Sequence, residues 1–365
     1  MDVKFARSLP DGFFRTLNAR VNTYFKSNQI KRTGDRRMYV KSAAMLAMYI
    51  IPLLLIYAQV VSGWWILLAF LIMGVGMSGI GLCIMHDANH GSYSTNPLVN
   101  KIFSHSLTLV GGSSFTWKIQ HNLLHHTFTN VYEIDEDIDD KPFLRLSPHG
   151  KLKGHHRFQH LYALVIYSLA TVSWILYKDF KQLIQYNRVG LTQKGGYNPT
   201  KESVRMIIQK TLYVVALILV PILLGAPWYI VLLGFLLMHF FAGVYITTIF
   251  QLAHVVEGPE HHHKEMHPSG TMDNTWAIHQ ISTTANFSTR SKFVTWMSGG
   301  LNHQIEHHLF PNICHVHYPE ISQIVRKTVA EFNLPYYEHE RFLQAVRSHL
   351  SVLKSFGHAK QAPAV

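Results

Sequence analysis

Two long runs without a charged residue constrain this chain more than anything else in it. Ser42 to Met85 and Thr211 to Ala253 contain no Asp, Glu, Lys or Arg. The first is interrupted only by the polar pair Ser62-Gly63, leaving 43 to 61 and 64 to 85; the second divides at Gly225-Ala226-Pro227. Each piece is close to the roughly 20 apolar residues that cross a bilayer as a helix. The expected fold is an all-α integral membrane protein: four transmembrane helices in two hairpins, interfacial helices and a cytoplasmic helical cap.

Charge sets the orientation. Residues 1 to 42 carry ten Lys or Arg against three Asp (Asp2, Asp11 and Asp35), while the breaks inside the two runs carry no charge. By the positive-inside rule both chain ends and the central region lie in the cytoplasm. The net charge of +12 is therefore read as orientation and not as nucleic-acid binding. The expected organisation is one catalytic domain: a basic cytoplasmic arm near anionic headgroups (1–42), a transmembrane hairpin (43–85), a cytoplasmic and interfacial region (86–210), a second hairpin (211–253) and a cytoplasmic cap (254–365). No signal peptide is expected, because no sufficiently long apolar core lies near Met1. Segments 97–116 and 160–177 are apolar too; a span at 160–177 would put the Lys- and Arg-rich stretch after it outside, so both are laid in the interface. The glycines Gly74, Gly76, Gly79 and Gly81 suit close helix packing. Residues 258–274 read as an exposed loop, and 339–355 as an amphipathic helix with Phe342, Val346, Leu350 and Leu353 on one side.

The chain holds 25 histidines against 21 Asp and Glu combined, and only two cysteines, Cys83 and Cys314. That excludes a disulfide framework and an all-cysteine iron-sulfur site, and it favours metals that take imidazole. The histidines cluster as HDANH (His86 to His90), HNLLHH (His121 to His126) and LNHQIEHHLFP (Leu301 to Pro311). On a helix Gln304, His307 and His308 share a face, as do His86 and His90 at i and i+4. His303, four before His307, competes with Gln304. His254 closes the inner end of the fourth span, so the boxes reach one depth at the cytoplasmic boundary, where ionisable groups are costly and usually functional. Eight histidines exceed one tetrahedral site, which implies two ions. Asp87, Glu306 and the acidic run from Glu133 to Asp140, with Asp137 in it, are candidates to hold the outer ring nitrogens, against the plainer reading of that run as solvated. His261, His262, His263 and His267 read as a solvated loop, and His155, His156 and His160 as headgroup-facing. His105, His279, His315 and His317 are left unassigned.

The ordered boxes HDANHGSYSTNP, HNLLHHTFTN and GGLNHQIEHHLFPNICHVHYP, with QLAH at Gln251 to His254 and TTANF at Thr283 to Phe287, resemble the integral-membrane fatty acid desaturases over nearly the whole chain. The third box is most similar to the front-end group of the bacterial delta-6 type, in which glutamine replaces its first histidine. The resemblance implies a non-haem centre of two iron ions that uses O2 and two electrons to place a cis double bond in an acyl chain, with water as the other product. It implies metal ligands at His86, His90, His121, His125, His126, His254, His307 and His308, with Gln304, or His303 in its place, as the ninth. No further catalytic residue is implied.

The implied partners are the bilayer, an acyl-lipid or acyl-CoA substrate, and a separate electron carrier, ferredoxin or cytochrome b5 with its reductase. No fused cytochrome b5 is expected, since the His-Pro-Ser-Gly stretch from His267 has no haem domain around it. The implied location is a multi-pass membrane protein, bacterial plasma membrane first, with its site on the cytoplasmic side. A fatty acid hydroxylase on the same irons is the alternative. A histidine-rich metal transporter is less suited, because His239 is the one ionisable side chain deep within the spans.

Overall fold

The computed structural model describes residues 3–6, 12–139, 141–265 and 270–359. His267 with the stretch it opens, Asp140 at the end of the acidic run, and Asp2, Arg7 and Asp11 of the basic arm lie outside the described residues. The described residues are overwhelmingly helical; their strands form three short parallel pairs, Lys4–Phe5 with Thr271–Met272, Val131–Tyr132 with His262–His263, and Ala285–Phe287 with Tyr337–His339. Two compact units are present. One is built from Met1–Gly34, Gln120–Ala163 and Ile249–Val365; the other from Asp35–Ile119 and Leu164–Thr248.

The second unit carries most of the membrane-crossing architecture, the last residues of the fourth span, from Ile249, belonging to the first. Four helices are long and apolar enough to span a bilayer: Arg36–Tyr57, Trp65–Asn89, Pro199–Leu223 and Trp228–His254. The chain is thus an all-α integral membrane protein, as the uncharged runs predict. Helices one and three start before those runs, where a polar cap supplies the first free backbone donors: Asp35 accepts from the Arg37 amide at 2.8 Å, and Asn198 from Lys201 at 3.0 Å. Exposed Trp64, Trp65, Trp228 and Tyr229 stand at the starts of helices two and four, in the manner of an interfacial aromatic belt. At Gly76 the first two spans meet closely: a Cβ there would sit 2.7 Å from the Tyr49 nitrogen and 2.8 Å from the Met45 carbonyl. Segment 160–177 falls in a helix pair, Gly154–Ser168 and Ala170–Arg188, bent by 55°. Its break packs on the fourth span, where Gly243 leaves room for the Ser168 carbonyl and Thr171 donates to the His239 carbonyl at 2.9 Å. His239 is buried, with its Nε2 2.8 Å from the Tyr213 hydroxyl. It is a hydrogen-bonded core residue.

In the first unit the helical part of the basic arm packs by one face. Helix Phe13–Ser27 buries Phe13, Leu17, Val21 and Phe25 along one side, each stabilising by roughly 1.5–3 kcal/mol before entropy is counted. They share a core with Ile305, Leu309, Phe310, Tyr318 and Ile321, and Arg20 bonds Thr328 at 2.9 Å and Glu331 at 2.6 Å. The C-terminal helix Phe342–His358 buries Ala345, Ser348, His349, Val352 and Leu353; only Leu353 of the four apolar positions expected inside is fully covered. The inward stripe is a mixed small and polar one, and it runs on to Gly357, packed on the His156 carbonyl. His156 is correspondingly buried and not headgroup-facing. The expected solvated loop also differs: His262 and His263 form a strand beside Val131–Tyr132, and His263 is buried.

Candidate metal centre

Box two is wound in an unusual way. Lys118–His125 is a π-helix, and the His126 amide donates to the His121 carbonyl at 3.0 Å, five residues back. An α-helix would align His121 with His125 alone; the wider turn brings His126 over His121 as well, with their Nε2 atoms 3.1 Å apart. Such widened turns occur frequently at functional sites. In the same unit, His125 lies 4.8 Å from His254 and 5.0 Å from His308 between ring centroids, and His126 lies 4.5 Å from both His307 and His308. The first unit therefore gathers six of the expected histidines, His121, His125, His126, His254, His307 and His308, and all are buried.

Four of these rings are held from behind. His125 Nδ1 donates to Asp135 Oδ2 at 3.0 Å, and that carboxylate also accepts from the amides of Asn130 at 2.9 Å and Asp137 at 3.0 Å. Burial alone would depress the His125 pKa, but Asp135, by charge and hydrogen bond, and then Asp137 outweigh it and hold it near 9. His254 Nδ1 is 3.2 Å from the Thr283 carbonyl, and His308 Nδ1 is 2.9 Å from Gln280 Oε1. His307 Nδ1 lies 3.1 Å from the Tyr318 hydroxyl. Asn130, at φ 56, spends its side-chain amide on the carbonyls of His254 (3.1 Å), Glu260 (3.0 Å) and Thr283 (3.3 Å).

Box three begins after Gly299-Gly300, both at positive φ; a Cβ on Gly300 would lie 2.7 Å from His315 Cβ. Helix Gln304–Leu309 follows, with every residue buried. Asn286 fixes its start, accepting from the Ile305 amide at 2.9 Å and donating to Glu306 at 2.8 Å. Glu306 also accepts from the Tyr336 hydroxyl at 3.0 Å, so it braces the helix, and its carboxylate lies 3.9 Å from His303 Nδ1. The Gln304 amide nitrogen and both nitrogens of His303 are buried without a hydrogen bond. Burial, with a smaller push from Arg326, drives the His303 pKa down to about 3, so its ring is neutral.

In the second unit, His86 and His90 lie at the end of Trp65–Asn89 after a π-turn over Ile80–Ile84. Their rings are 4.9 Å apart, with Trp117 at 5.6 and 5.9 Å. Asp87 is buried, its carboxylate 3.8 Å from His86 Nδ1.

The sequence profile described as Fatty acid desaturase matches residues 62–340. The chain belongs to that family. It is 35% identical over 356 residues to the sn-1 linoleoyl-lipid 6-desaturase of Synechocystis sp., covering 95% of this chain and 96% of that one. The sn-1 linoleoyl-lipid 6-desaturase of Arthrospira platensis is 32% identical over 376 residues, with 100% and 97% covered. An acyl-lipid (8-3)-desaturase of Physcomitrium patens is 35% identical over 358 residues, with 97% and 74% covered. The protein is an oxidoreductase acting on lipid acyl chains.

Non-haem iron is general in fatty acid desaturases, and the desaturase's own atoms fit such a metal. One nitrogen from each of His125, His254 and His308 lies within 4.8 Å of the others, which suits three ligands of one ion with metal–nitrogen bonds of about 2 Å. His125 Nε2 and His254 Nε2 are buried and make no hydrogen bond, a cost of roughly 1–3 kcal/mol each unless something accepts their lone pairs. Their Nδ1 atoms are already committed, which is how metal-bound imidazoles are usually held. Sequence reading has Asp135 within the acidic run but singles out Asp137, and it missed Asn130, Thr283 and Gln280. HTFTN and TTANF lie beside the boxes, and that adjacency was the available signal.

Proposed function

We propose that this desaturase places a cis double bond on the carboxyl side of a membrane lipid's acyl chain, at a pair of histidine-held irons that uses O2 and two electrons. The observation that carries this is the trio His125, His254 and His308, with converging nitrogens and Nδ1 atoms tethered behind. That trio would hold one ion. His121, His126 and His307, together with His86 and His90, which the resemblance assigns to the same set, would complete the ligands, with Gln304 or His303 as the ninth. When bound, the metal pair supplies the oxidant for an unactivated methylene pair.

The chain's own residues prepare that chemistry. Asp135 keeps a proton on His125 Nδ1, so Nε2 is the atom that a metal would take in exchange for the second proton that the raised pKa favours; the Thr283 carbonyl and Gln280 Oε1 hold the Nδ1 protons of His254 and His308 in the same way. Burial of the six histidines gathered in the first unit excludes water that would quench a strong oxidant. Electrons come from a separate carrier, ferredoxin or cytochrome b5, on the cytoplasmic side that the basic flanks define. The position-6 reading draws on the names of the two bacterial relatives.

Gas chromatography of lipids from a host supplied with C18 fatty acids tests this. The expected result is a new cis bond between the existing unsaturation and the carboxyl group, absent in His308→Ala. An unchanged profile with every C18 substrate, or a hydroxylated product, contradicts it.

A further inference from the structure

In the second unit a buried ion pair sits one residue before the uncharged run that begins at Thr211. Lys210 lies on the span Pro199–Leu223. Its Nζ donates to Asp179 Oδ2 at 2.8 Å, to the Trp174 carbonyl at 2.7 Å and to the Gly111 carbonyl at 2.9 Å, which uses every N–H of the ammonium group. The two side chains are only 9% and 7% exposed. Taking such a pair out of water is costly, and its burial is weak evidence of a gain in stability. Ionisable groups on membrane spans are usually functional, yet the chemistry described above uses neither residue.

The pair leads to box one. Asp179 Oδ1 accepts from Thr116 Oγ1 at 2.9 Å, and Thr116 belongs to the short helix Ser114–Trp117. From that same turn Ser114 Oγ donates to Asn89 Oδ1 at 3.1 Å, and Ser104 Oγ reaches the same oxygen at 2.6 Å. Asn89 lies inside HDANH. The Trp117 ring meets His86 and His90 edge-on, with centroids 5.6 and 5.9 Å apart. One four-residue turn thus touches the ion pair behind it and both histidines in front.

We propose that Lys210 and Asp179 are positioning residues for the metal centre: through Thr116 they fix the turn Ser114–Trp117, and through Ser114 and Trp117 that turn fixes the rings of His86 and His90. The inference rests on the proposed role of those two histidines as iron ligands. A single helical turn makes too few internal hydrogen bonds to hold its own orientation, so its anchor has to come from outside. A hydroxyl donating to a carboxylate is a short, directional bond, whereas apolar contacts alone would let the turn slide. Lys210 holds that carboxylate in place and ties it to two backbone carbonyls.

The experiment compares Thr116→Val with Thr116→Ser in the full chain. Valine keeps the volume and removes the hydroxyl while leaving Lys210 and Asp179 paired; serine keeps the hydroxyl. Each protein, purified with its iron and reduced anaerobically, is mixed with a ferrous chelator and iron release is followed by absorbance, with the thermal midpoint of the iron-free form measured alongside. In Thr116→Val one of the two irons should leave roughly 3- to 10-fold faster than in the parent chain, a smaller effect than losing a group bonded to a ligand itself. The other iron should leave at the parent rate, and Thr116→Ser should restore parent behaviour. A lower midpoint with parent-like release of both irons overturns the inference, since a purely structural pair would give that result. So does equal acceleration of both irons, or serine behaving like valine. A parent chain that holds no iron overturns the proposed metal centre itself, which separates that failure from failure of the positioning role. Thr116→Ala, read the same way, decides the matter if Thr116→Val does not accumulate.

Discussion

His125 and Asp135 form a buried pair, Nδ1 to Oδ2 at 3.0 Å, in which the carboxylate is itself fixed by two backbone amides. Removing the carboxylate frees the imidazole to rotate and exchange tautomers. Asp135→Asn should lower iron retention by about 10- to 100-fold, the usual cost of losing such a partner. Asp137→Asn, whose carboxylate lies 3.5 Å away, should cost less. Competition with a chelator, followed by metal analysis, checks both; equal loss from the two variants would count against the assignment.

Asn130 joins three carbonyls from three parts of the first unit while in the left-handed region. Asn130→Ala leaves those buried carbonyls short of a donor and places a less suitable residue at positive φ. We expect a loss of roughly 2–4 kcal/mol, read as a lower thermal midpoint in detergent. A midpoint within a degree of the parent chain would show that the three bonds contribute little.

Gly76 and Gly81 separate two meanings of the glycine run. A methyl group at 76 meets backbone at 2.7 Å, whereas one at 81 meets only Ile246 Cδ1 at 3.4 Å. Gly76→Ala should therefore be strongly destabilising, by about 3 kcal/mol or more, and Gly81→Ala tolerated, since overpacking against backbone cannot relax. Size-exclusion yield and thermal unfolding of the two variants compare them directly.

His349 donates from Nδ1 to the Val255 carbonyl at 2.7 Å, and burial pushes its pKa from 6.5 down to about 4. Below pH 6.5 the unfolded chain binds a proton that the folded chain refuses. The stability from this residue is thus complete above pH 6.5 and is lost towards pH 4, by roughly 1.4 kcal/mol per pH unit. His349→Asn keeps a donor for Val255 and should flatten unfolding-against-pH over that interval; an unchanged slope would refute the assignment.

Much of this was legible in the sequence because it follows from counting charges and spacing histidines. The uncharged runs carry the four spans, and the boxes hold the imidazoles that the first unit gathers. What was not legible depends on backbone geometry. The π-turn that stacks His126 over His121 has no spacing signature, since HNLLHH reads equally well as an α-helix. Within the acidic run, only the turn after Asn130 decides that Asp135 faces inward. The basic arm looked like a surface element because its charges are obvious, while Phe13, Leu17, Val21 and Phe25 are visible only as a weak helical stripe.

Two irons held by the buried histidines are the centre of this account. Iron per chain, measured on protein purified without chelators together with its Mössbauer spectrum, tests that most directly. We predict two high-spin non-haem irons per chain in the active protein, with a clear loss of iron in His308→Ala and in His125→Ala. Full desaturation by protein holding only traces of iron, or an unchanged iron count in both variants, would contradict it.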